Sequence, residues 1–229
     1  MITGTLLNVA TVLAGSTGGV ALGARLPERA QRIVMDGLGL GTLLIGAKMA
    51  LQTQNILILL GSILLGGLLG EMLRIHQGLD RLGEALRKQV GVGQGSRFTE
   101  GFVTASLIFC VGPMTVMGSI EDGLTGRYQI LAAKAVLDGF ASLALAATLG
   151  WGVACAALTV LLFQGSLSLG ASLLTRLITP AMVTEMTAAG GLMILGIGLL
   201  LLELRQIRVA NFLPGLAVAP LLVALAGLR

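Results

Sequence analysis

The sequence has few charged residues: Asp, Glu, Lys and Arg make up only 11% of its 229 residues, while 55% are hydrophobic. A soluble domain typically carries about 25% charged residues, so this chain could not cover its surface in water. It has one histidine and two cysteines, Cys110 and Cys155, and both cysteines lie in apolar stretches. The His and Cys spacings typical of metal sites are missing, and a disulfide is not expected. We therefore expect a protein of the lipid bilayer with no cofactor and no nucleic-acid partner.

Long charge-free stretches separate the charged segments, and most have the roughly 20 residues that a helix needs to cross the hydrocarbon. They lack the polar–apolar alternation of membrane β-strands, so helices are predicted. The 34 glycines fit this interpretation, because small residues let membrane helices pack closely. We predict an all-α, polytopic helical bundle. Its eight predicted crossings are residues 2–22, 33–51, 56–73, 99–120, 128–149, 152–173, 186–203 and 209–228. The last contains Pro214 and Pro220, so a bent or re-entrant segment is the alternative there.

Lysine and arginine gather in the odd-numbered connections between these crossings; the first, for example, holds Arg25, Arg29 and Arg32. Connections rich in these residues face the cytoplasm. The pattern predicts cytoplasmic odd connections and an N-terminus outside.

The third connection has a helical pattern of its own. Ile75, Leu79, Leu82 and Leu86 recur at steps of three and four residues with charges between them. We predict an amphipathic linker helix within residues 71–96, lying along the cytoplasmic surface. A linker that covers the bundle is the preferred interpretation, and lipid sensing is the alternative.

The sequence also matches itself at an offset near 102 residues. The charged residues Arg32 and Asp36 match Lys134 and Asp138, and such residues are rare inside membrane helices. Each copy, residues 1–73 and 97–178, contains three crossings, and an odd number makes the second copy inverted. Two further helices follow within residues 186–229. Inverted repeats are typical of transporters, although a duplication could also have built only a stable bundle.

Two sets of residues are candidates for an ion or solute pathway. In the first, Asp36 and Asp138 each follow a basic residue, Arg32 and Lys134, by one helical turn. Each pair could simply neutralise itself, or it could form a charged site where the two copies face each other. Asn8, on the first crossing, can hydrogen-bond between helices.

The second set surrounds Pro113, which interrupts the fourth crossing. A helix broken within the membrane frees carbonyls and a helix N-terminus, and both can bind ions. Thr115 and Ser119 share one face, and Glu121 and Asp122 follow at the predicted outer end. The matching segment of the first copy is glycine-broken around Ser16. A kinked helix in close packing is the alternative.

Residues 112–123 (GPMTVMGSIEDG) resemble the signature of the YqgA/YdfK family of bacterial inner-membrane proteins. Residues 4–8 (GTLLN), 134–138 (KAVLD) and 207–214 (IRVANFLP) are similar too. The family is named for a domain of unknown function. The resemblance therefore implies a multi-pass protein of the bacterial inner membrane, and it supplies no substrate.

Two functions fit these patterns. The first is a small secondary transporter or ion-conducting protein with its site between the copies; the alternative is a non-transporting scaffold or regulator. No enzyme is expected, because the metal-protease and nucleophile motifs HExxH and GxSxG are missing. Faces rich in small residues are compatible with a homo-oligomer.

Overall fold

The fold is helical, as predicted. A computed structural model describes residues 2–93 and 97–227, and no β-strand occurs in these ranges. The α-helices are α1 (Thr3–Gly23), α2 (Glu28–Ala50), α3 (Ile56–Met72), α4 (Ile75–Val90), α5 (Phe98–Cys110), α6 (Pro113–Thr125), α7 (Gln129–Leu149), α8 (Gly152–Leu169), α9 (Ala171–Leu177), α10 (Pro180–Leu201) and α11 (Gly215–Leu225). A short 3-10 helix, Val209–Phe212, precedes α11.

Five of the described helices are long and apolar enough to cross a membrane: α1, α2 from Arg29 on, α7, α8 and α10. Two bent pairs, α3 with α4 and α5 with α6, raise the number to seven if each pair is counted as one span. Large apolar side chains point outward; Leu57 on α3 is 76% exposed and Phe140 on α7 is 72% exposed. Such surfaces suit a lipid environment and not water. The protein is therefore a multi-pass membrane protein.

The eighth predicted crossing is not one continuous helix, as the alternative at Pro214 and Pro220 allowed. Over residues 209–227 (residue 228 lies outside the described residues), the chain forms the 3-10 helix and then α11, which has only 11 residues. At about 1.5 Å per residue, α11 is roughly half as long as the hydrocarbon is thick. Pro214 sets the start of α11, and Pro220 lies within it.

The fourth predicted crossing is broken at the expected place. α5 ends at Cys110, α6 begins at Pro113, and the two helices are bent by 62°. Gly112 has a φ of 154°, which L side chains rarely adopt. The proline cannot donate a backbone hydrogen bond to the turn before it, so the helix ends there.

The described chain divides into two compact units. The first contains α1, the beginning of α2, the later part of α4, α5, α6 from Met114 on, α7, α8 and nearly all of α9. The second contains the rest of α2, α3, the beginning of α4, α10, the 3-10 helix, α11 and the break residues Val111–Pro113. These units do not follow the two proposed copies, because the first unit combines α1 with helices of the second copy. The inverted repeat stays a prediction.

In the first unit, α1 packs closely along α7. A Cβ built on Gly15, Gly19 or Gly23 would lie 2.2 Å from a backbone carbonyl oxygen of α7, so only glycine permits this approach. The carbonyls belong to Gly139, Leu143 and Ala147, and their order shows that the helices run parallel. The predicted order of crossings requires this direction, because α1 and α7 are the first and fifth predicted crossings and odd-numbered crossings run the same way through the membrane.

The second unit uses the same kind of contact. A Cβ on Gly46 of α2 would lie 2.6 Å from the backbone nitrogen of Leu195 on α10. A Cβ on Gly66 of α3 would lie 2.3 Å from the nitrogen of Gly215 on α11. Small residues at membrane helix contacts allow such backbone approach.

The amphipathic helix predicted in the third connection is α4; residues 94–96 of the predicted linker lie outside the described residues. Its buried residues are Gly83 and Arg87, and Gly83 faces Thr99 and Phe102 near the start of α5. Glu84 accepts hydrogen bonds from Arg87 and Thr99, and these bonds hold the pKa of its carboxyl below the ordinary value. One face of α4 therefore packs on α5, as a linker helix requires.

Asn211 links the segment before α11 to the junction of α3 and α4. Its side chain donates to Glu71 at 2.6 Å and accepts from the backbone nitrogen of His76 at 2.8 Å. Arg208 also pairs with Glu71, at 3.1 Å. This part of the IRVANFLP run therefore fastens the end of α3 and the start of α4 in the second unit.

Candidate functional site

The first unit contains a buried ion pair. Lys134 and Asp138 lie one turn apart on α7, and the Lys134 ammonium donates directly to Asp138 Oδ2. Lys134 is 6% exposed and Asp138 is 8% exposed. Charges in a membrane interior persist only when they are paired or serve a function, so this pair is the strongest candidate for a site.

Neutral polar side chains from two other helices extend the pair. Asn8 on α1 donates through Nδ2 to Asp138 Oδ2 at 2.9 Å and to Gln164 Oε1 of α8 at 3.1 Å. Gln164 in turn donates through Nε2 to the hydroxyl of Thr5 at 3.2 Å. Asn8, Gln164 and Thr5 are fully buried. We call Thr5, Asn8, Lys134, Asp138 and Gln164 the polar cluster.

The approach of α1 to α7 makes the polar cluster possible. Asn8 has a short side chain, and it reaches Asp138 only because α1 lies against the backbone of α7. The cluster carries one positive and one negative charge, so it is electrically neutral. One acceptor remains: Asn8 Oδ1 is buried and has no hydrogen-bond partner among residues 2–93 and 97–227. A buried polar atom without a partner is uncommon and calls for an explanation.

The C-terminal end of α5 lies close to the polar cluster. Its last residue, Cys110, is buried and has Lys134 and Asp138 of α7 in its surroundings. The end of a helix carries a partial negative charge from its free carbonyls. Thr115 donates from its hydroxyl to the carbonyl of Phe109 at 3.3 Å and satisfies one of them.

The adjacent acids Glu121 and Asp122 have different surroundings, although the sequence predicts both at the same end of the pathway. Asp122 is fully buried, and its Oδ2 accepts from the backbone nitrogen of Gly4 at 2.9 Å. It therefore caps the first turn of α1, where a negative charge is favourable. Glu121 pairs instead with the exposed Arg127 at 3.2 Å.

Ser16 and Ser119 are fully buried, and their hydroxyls have no hydrogen-bond partner in the part of the chain that the structure describes. Ser16 lies eight residues beyond Asn8 on α1, about 12 Å along the axis. The buried Val12 lies between them on the same face. Ser16 is therefore separate from the polar cluster. The helix break predicted around Ser16 is wrong, because α1 is continuous over Thr3–Gly23 and its glycines serve the close contact with α7.

The first predicted charged pair differs from the second. Arg32 and Asp36 on α2 are both exposed, and among the described residues no ion pair joins them. Their spacing is the same as that of Lys134 and Asp138. Exposed charges gain little from pairing, whereas buried charges require it.

Sequence reasoning missed two polar residues of the cluster, Thr5 and Gln164. Gln164 had a usable signal, because it is the only amide side chain in the charge-free stretch 139–175. It also missed Glu185 of the second unit, which is 3% exposed. Glu185 accepts from the hydroxyl of Thr53 at 2.7 Å and from the backbone nitrogens of Gln54 and Asn55 at 2.8 and 3.1 Å. These bonds secure the segment that leads into α3.

Comparison with known proteins extends the resemblance over nearly the whole chain. The family described as "Protein of unknown function (DUF554)" matches residues 3–224. The uncharacterised membrane protein YdfK of Bacillus subtilis (strain 168) is 31% identical over 224 residues, which are 96% of this chain and 95% of the relative. The uncharacterised protein YqgA of Escherichia coli (strain K12) is 32% identical over 226 residues, with the same coverage. No solved structure matches significantly. The chain belongs to the DUF554 family of YdfK and YqgA.

Proposed function

We propose that this multi-pass membrane protein transports a small ion or solute and that the Lys134–Asp138 pair is at its binding site. The observation that carries the proposal is the burial of this pair, with each residue less than a tenth exposed, inside a bundle with an apolar exterior. Replacing a buried ion pair by apolar residues is often neutral or stabilising. Stability alone is therefore a weak reason for the pair, and a place at a binding site within the bundle gives it a function.

The helices that supply the polar cluster also support the proposal. Asn8 and Thr5 come from the first proposed copy, whereas Lys134, Asp138 and Gln164 come from the second. A site at the junction of two inverted copies is the arrangement that secondary transporters use to alternate access. The fourth crossing is also broken, at Gly112 and Pro113, and broken helices are common in such transporters.

The membrane and its sidedness belong to the same proposal. The relatives come from bacteria, and Lys and Arg gather in the odd-numbered connections. We place the protein in the bacterial inner membrane with its N-terminus outside. The end of the first unit at which α1 begins, with Asp122, then faces outward.

Flux measurements test the proposal. The purified protein is reconstituted into liposomes, and uptake of inorganic cations, inorganic anions, amino acids and small organic acids is measured. We expect uptake of at least one solute and its loss in Asp138→Asn. Asp80→Asn, which removes a carboxylate of α4 outside the polar cluster, is the matched control and should retain uptake.

Asp138→Asn leaves the Lys134 ammonium buried without its partner and could therefore unfold the protein. The doubly neutral variant Lys134→Gln/Asp138→Asn avoids this problem and is tested in parallel for folding by size-exclusion chromatography. A folded double variant that transports as fast as the original protein would refute the proposed site. A folded original protein that moves no solute of the panel would refute transport.

The alternative function is a non-transporting scaffold or regulator that acts through α4 or the neighbouring connections. The exposed apolar residues Leu82 and Val90 on α4 favour it, because such side chains can contact a partner or lipid. Under this alternative, cells that carry the doubly neutral variant should keep the phenotype of cells with the original protein, and removal of α4 should abolish it. Under the transport proposal, the doubly neutral variant should lose that phenotype.

A further inference from the structure

The second unit has an apolar groove beside α10. Its volume is about 230 Å³, and every residue that lines it is apolar; the lining includes Leu192 and Leu199 of α10, Ile63 of α3 and Phe212 of the 3-10 helix. Pockets for drug-sized ligands have about 300–1,000 Å³ and a few polar groups, whereas an apolar cavity of about 150 Å³ holds benzene. The groove is smaller than such pockets and its lining offers no polar side chain, so it suits one segment of a hydrocarbon chain.

The groove follows α10 toward the C-terminal end of that helix. Leu192 and Leu199 are about 10 Å apart along the axis, and half of the hydrocarbon is about 15 Å thick. The segment after α10 returns to the same helix face: a Cβ on Gly196 would lie 3.0 Å from Val209 Cγ2, and Ile207 also lines the groove. The groove therefore extends from the membrane interior toward the interface at which α10 ends, as an acyl chain of one leaflet does.

Two exposed arginines lie at this end of the groove. The backbone nitrogen of Arg205 donates to the carbonyl oxygen of Leu199 at 3.4 Å, and its guanidinium has no hydrogen bond or ion pair within residues 2–93 and 97–227. Arg208 follows Ile207 of the lining and bonds Glu71 through Nη1 alone. Both side chains therefore keep N–H donors for a further acceptor.

The charge at this end favours an anionic acceptor. Within residues 71–76 and 203–208, three arginines outnumber two glutamates, which leaves a net positive charge. Guanidinium groups bind phosphate through two parallel hydrogen bonds. Basic pockets between membrane helices on the cytoplasmic side bind anionic lipid headgroups, and the predicted orientation puts this end on that side.

We propose that the groove binds one acyl chain of an anionic phospholipid, and that Arg205 and Arg208 hold the phosphate of its headgroup. The apolar lining accounts for the chain, and the unused arginine donors account for the charge of the headgroup. This lipid site belongs to the second unit and uses no residue of the polar cluster. It is therefore independent of transport.

Lipid binding to the purified protein in detergent tests the site. Dioleoyl phosphatidylglycerol is anionic and dioleoyl phosphatidylcholine has no net charge, but the two have the same acyl chains. Each is titrated separately, and native mass spectrometry counts the lipids bound to each chain. We expect one tightly bound phosphatidylglycerol, with an affinity at least about fivefold above that of phosphatidylcholine, which is the effect of one basic residue near an anionic surface. Glycerol 1-phosphate, a headgroup without chains, should not displace it.

The headgroup contact is tested at Arg205. Arg205→Gln should lower the affinity for phosphatidylglycerol by about fivefold and leave that for phosphatidylcholine unchanged, because only the charged headgroup uses the guanidinium. Arg205→Lys keeps the positive charge and should retain most of the preference. Arg25→Gln removes an exposed arginine of the first unit and should bind both lipids like the original protein.

The chain contact is tested by filling the groove. Leu199→Trp places a larger side chain in it and should weaken the binding of both lipids by about tenfold or more. Leu57→Trp is the matched control, because Leu57 of α3 is 76% exposed and does not line the groove. Size-exclusion chromatography checks that each variant folds. If Leu199→Trp does not fold, Leu192→Trp fills the other end of the groove and replaces it.

Three results would overturn the lipid site. The first is equal affinity of the original protein for the two lipids. The second is a preference for phosphatidylglycerol that persists in Arg205→Gln or in a folded groove variant, because the lipid would then be bound elsewhere. The third is a dimer that binds no added lipid and that Leu199→Trp dissociates, because a second copy of the chain would then occupy the groove.

Discussion

The contact of α1 with α7 can be tested with one methyl group. In Gly19→Ala the new Cβ would lie 2.2 Å from the carbonyl oxygen of Leu143, whereas ordinary contacts begin at 3.4 Å. The obstacle is backbone, which cannot rotate away as a side chain would, so the helices must separate locally by about 1.2 Å. Gly18→Ala is the matched control, because its Cβ would meet only the Leu143 side chain at 3.8 Å.

The expected magnitude follows from that separation. Overpacking a close contact costs about 1–3 kcal/mol. We expect Gly19→Ala to lower the free energy of unfolding by about 2–3 kcal/mol. The upper part of this range applies if the movement along α1 also lengthens the 2.9 Å bond between Asn8 and Asp138, since a hydrogen bond to a charged group contributes about 1.5–3 kcal/mol. Gly18→Ala should be neutral or slightly stabilising, because alanine favours helices by up to about 1 kcal/mol.

Reversible unfolding in mixed detergent micelles, followed by circular dichroism, measures both variants under the same conditions. The membrane environment changes the absolute values, but the difference between two neighbouring positions on one helix is preserved. Equal stabilities for Gly19→Ala and Gly18→Ala would refute the close parallel packing of α1 on α7. The polar cluster would then lose its structural basis, because Asn8 reaches Asp138 only through this contact.

Two further predictions concern charges. Lys134→Gln and Asp138→Asn should each lower the free energy of unfolding by about 3–5 kcal/mol, because each leaves a buried charge unpaired. The free energy of unfolding of the double variant should lie within about 1 kcal/mol of that of the original protein, or above it. If the two single effects simply add in the double variant, measured by the same unfolding curves, the pair is not coupled. Asp122→Asn should lower the free energy of unfolding by about 1–2 kcal/mol, because it weakens the cap on Gly4. Glu121→Gln should lower it by less than about 0.5 kcal/mol, because the partner Arg127 is exposed. Equal losses of stability in thermal unfolding would contradict the different surroundings of the two acids.

The sequence predicted those features that depend on local chemistry. Helix spans follow from charge-free length, α4 follows from its three- and four-residue apolar steps, and the break follows from Gly112 and Pro113. The Lys134–Asp138 contact follows from one helical turn. The sequence alone could not distinguish this pair from Arg32 and Asp36, because burial decides whether such charges join, and burial depends on neighbouring helices.

The parts that were missed depend on contacts between residues far apart in the chain. Gln164 meets Asn8 across 156 residues, and Glu185 meets the backbone of Asn55 across 130. Nothing in the local pattern around either residue specifies its partner. The shortness of α11 was left open by the sequence: its composition is apolar enough for a crossing, but Pro214 and Pro220 allow a bent segment, and the 3-10 helix takes up the residues before it.

The cap on Gly4 has a mechanical consequence. α6 begins just after the break at Gly112 and carries Asp122 toward its other end, where the carboxylate accepts a hydrogen bond from the first turn of α1. One turn farther along α1 lies Asn8, which holds Asp138. α6 thus connects the break to the helix that holds the ion pair, and its end also packs on α8, where a Cβ on Gly123 would lie 2.0 Å from the carbonyl oxygen of Ser168. A displacement of this end of α6 would therefore act on the bond at Gly4 and, through α1, on the bond between Asn8 and Asp138.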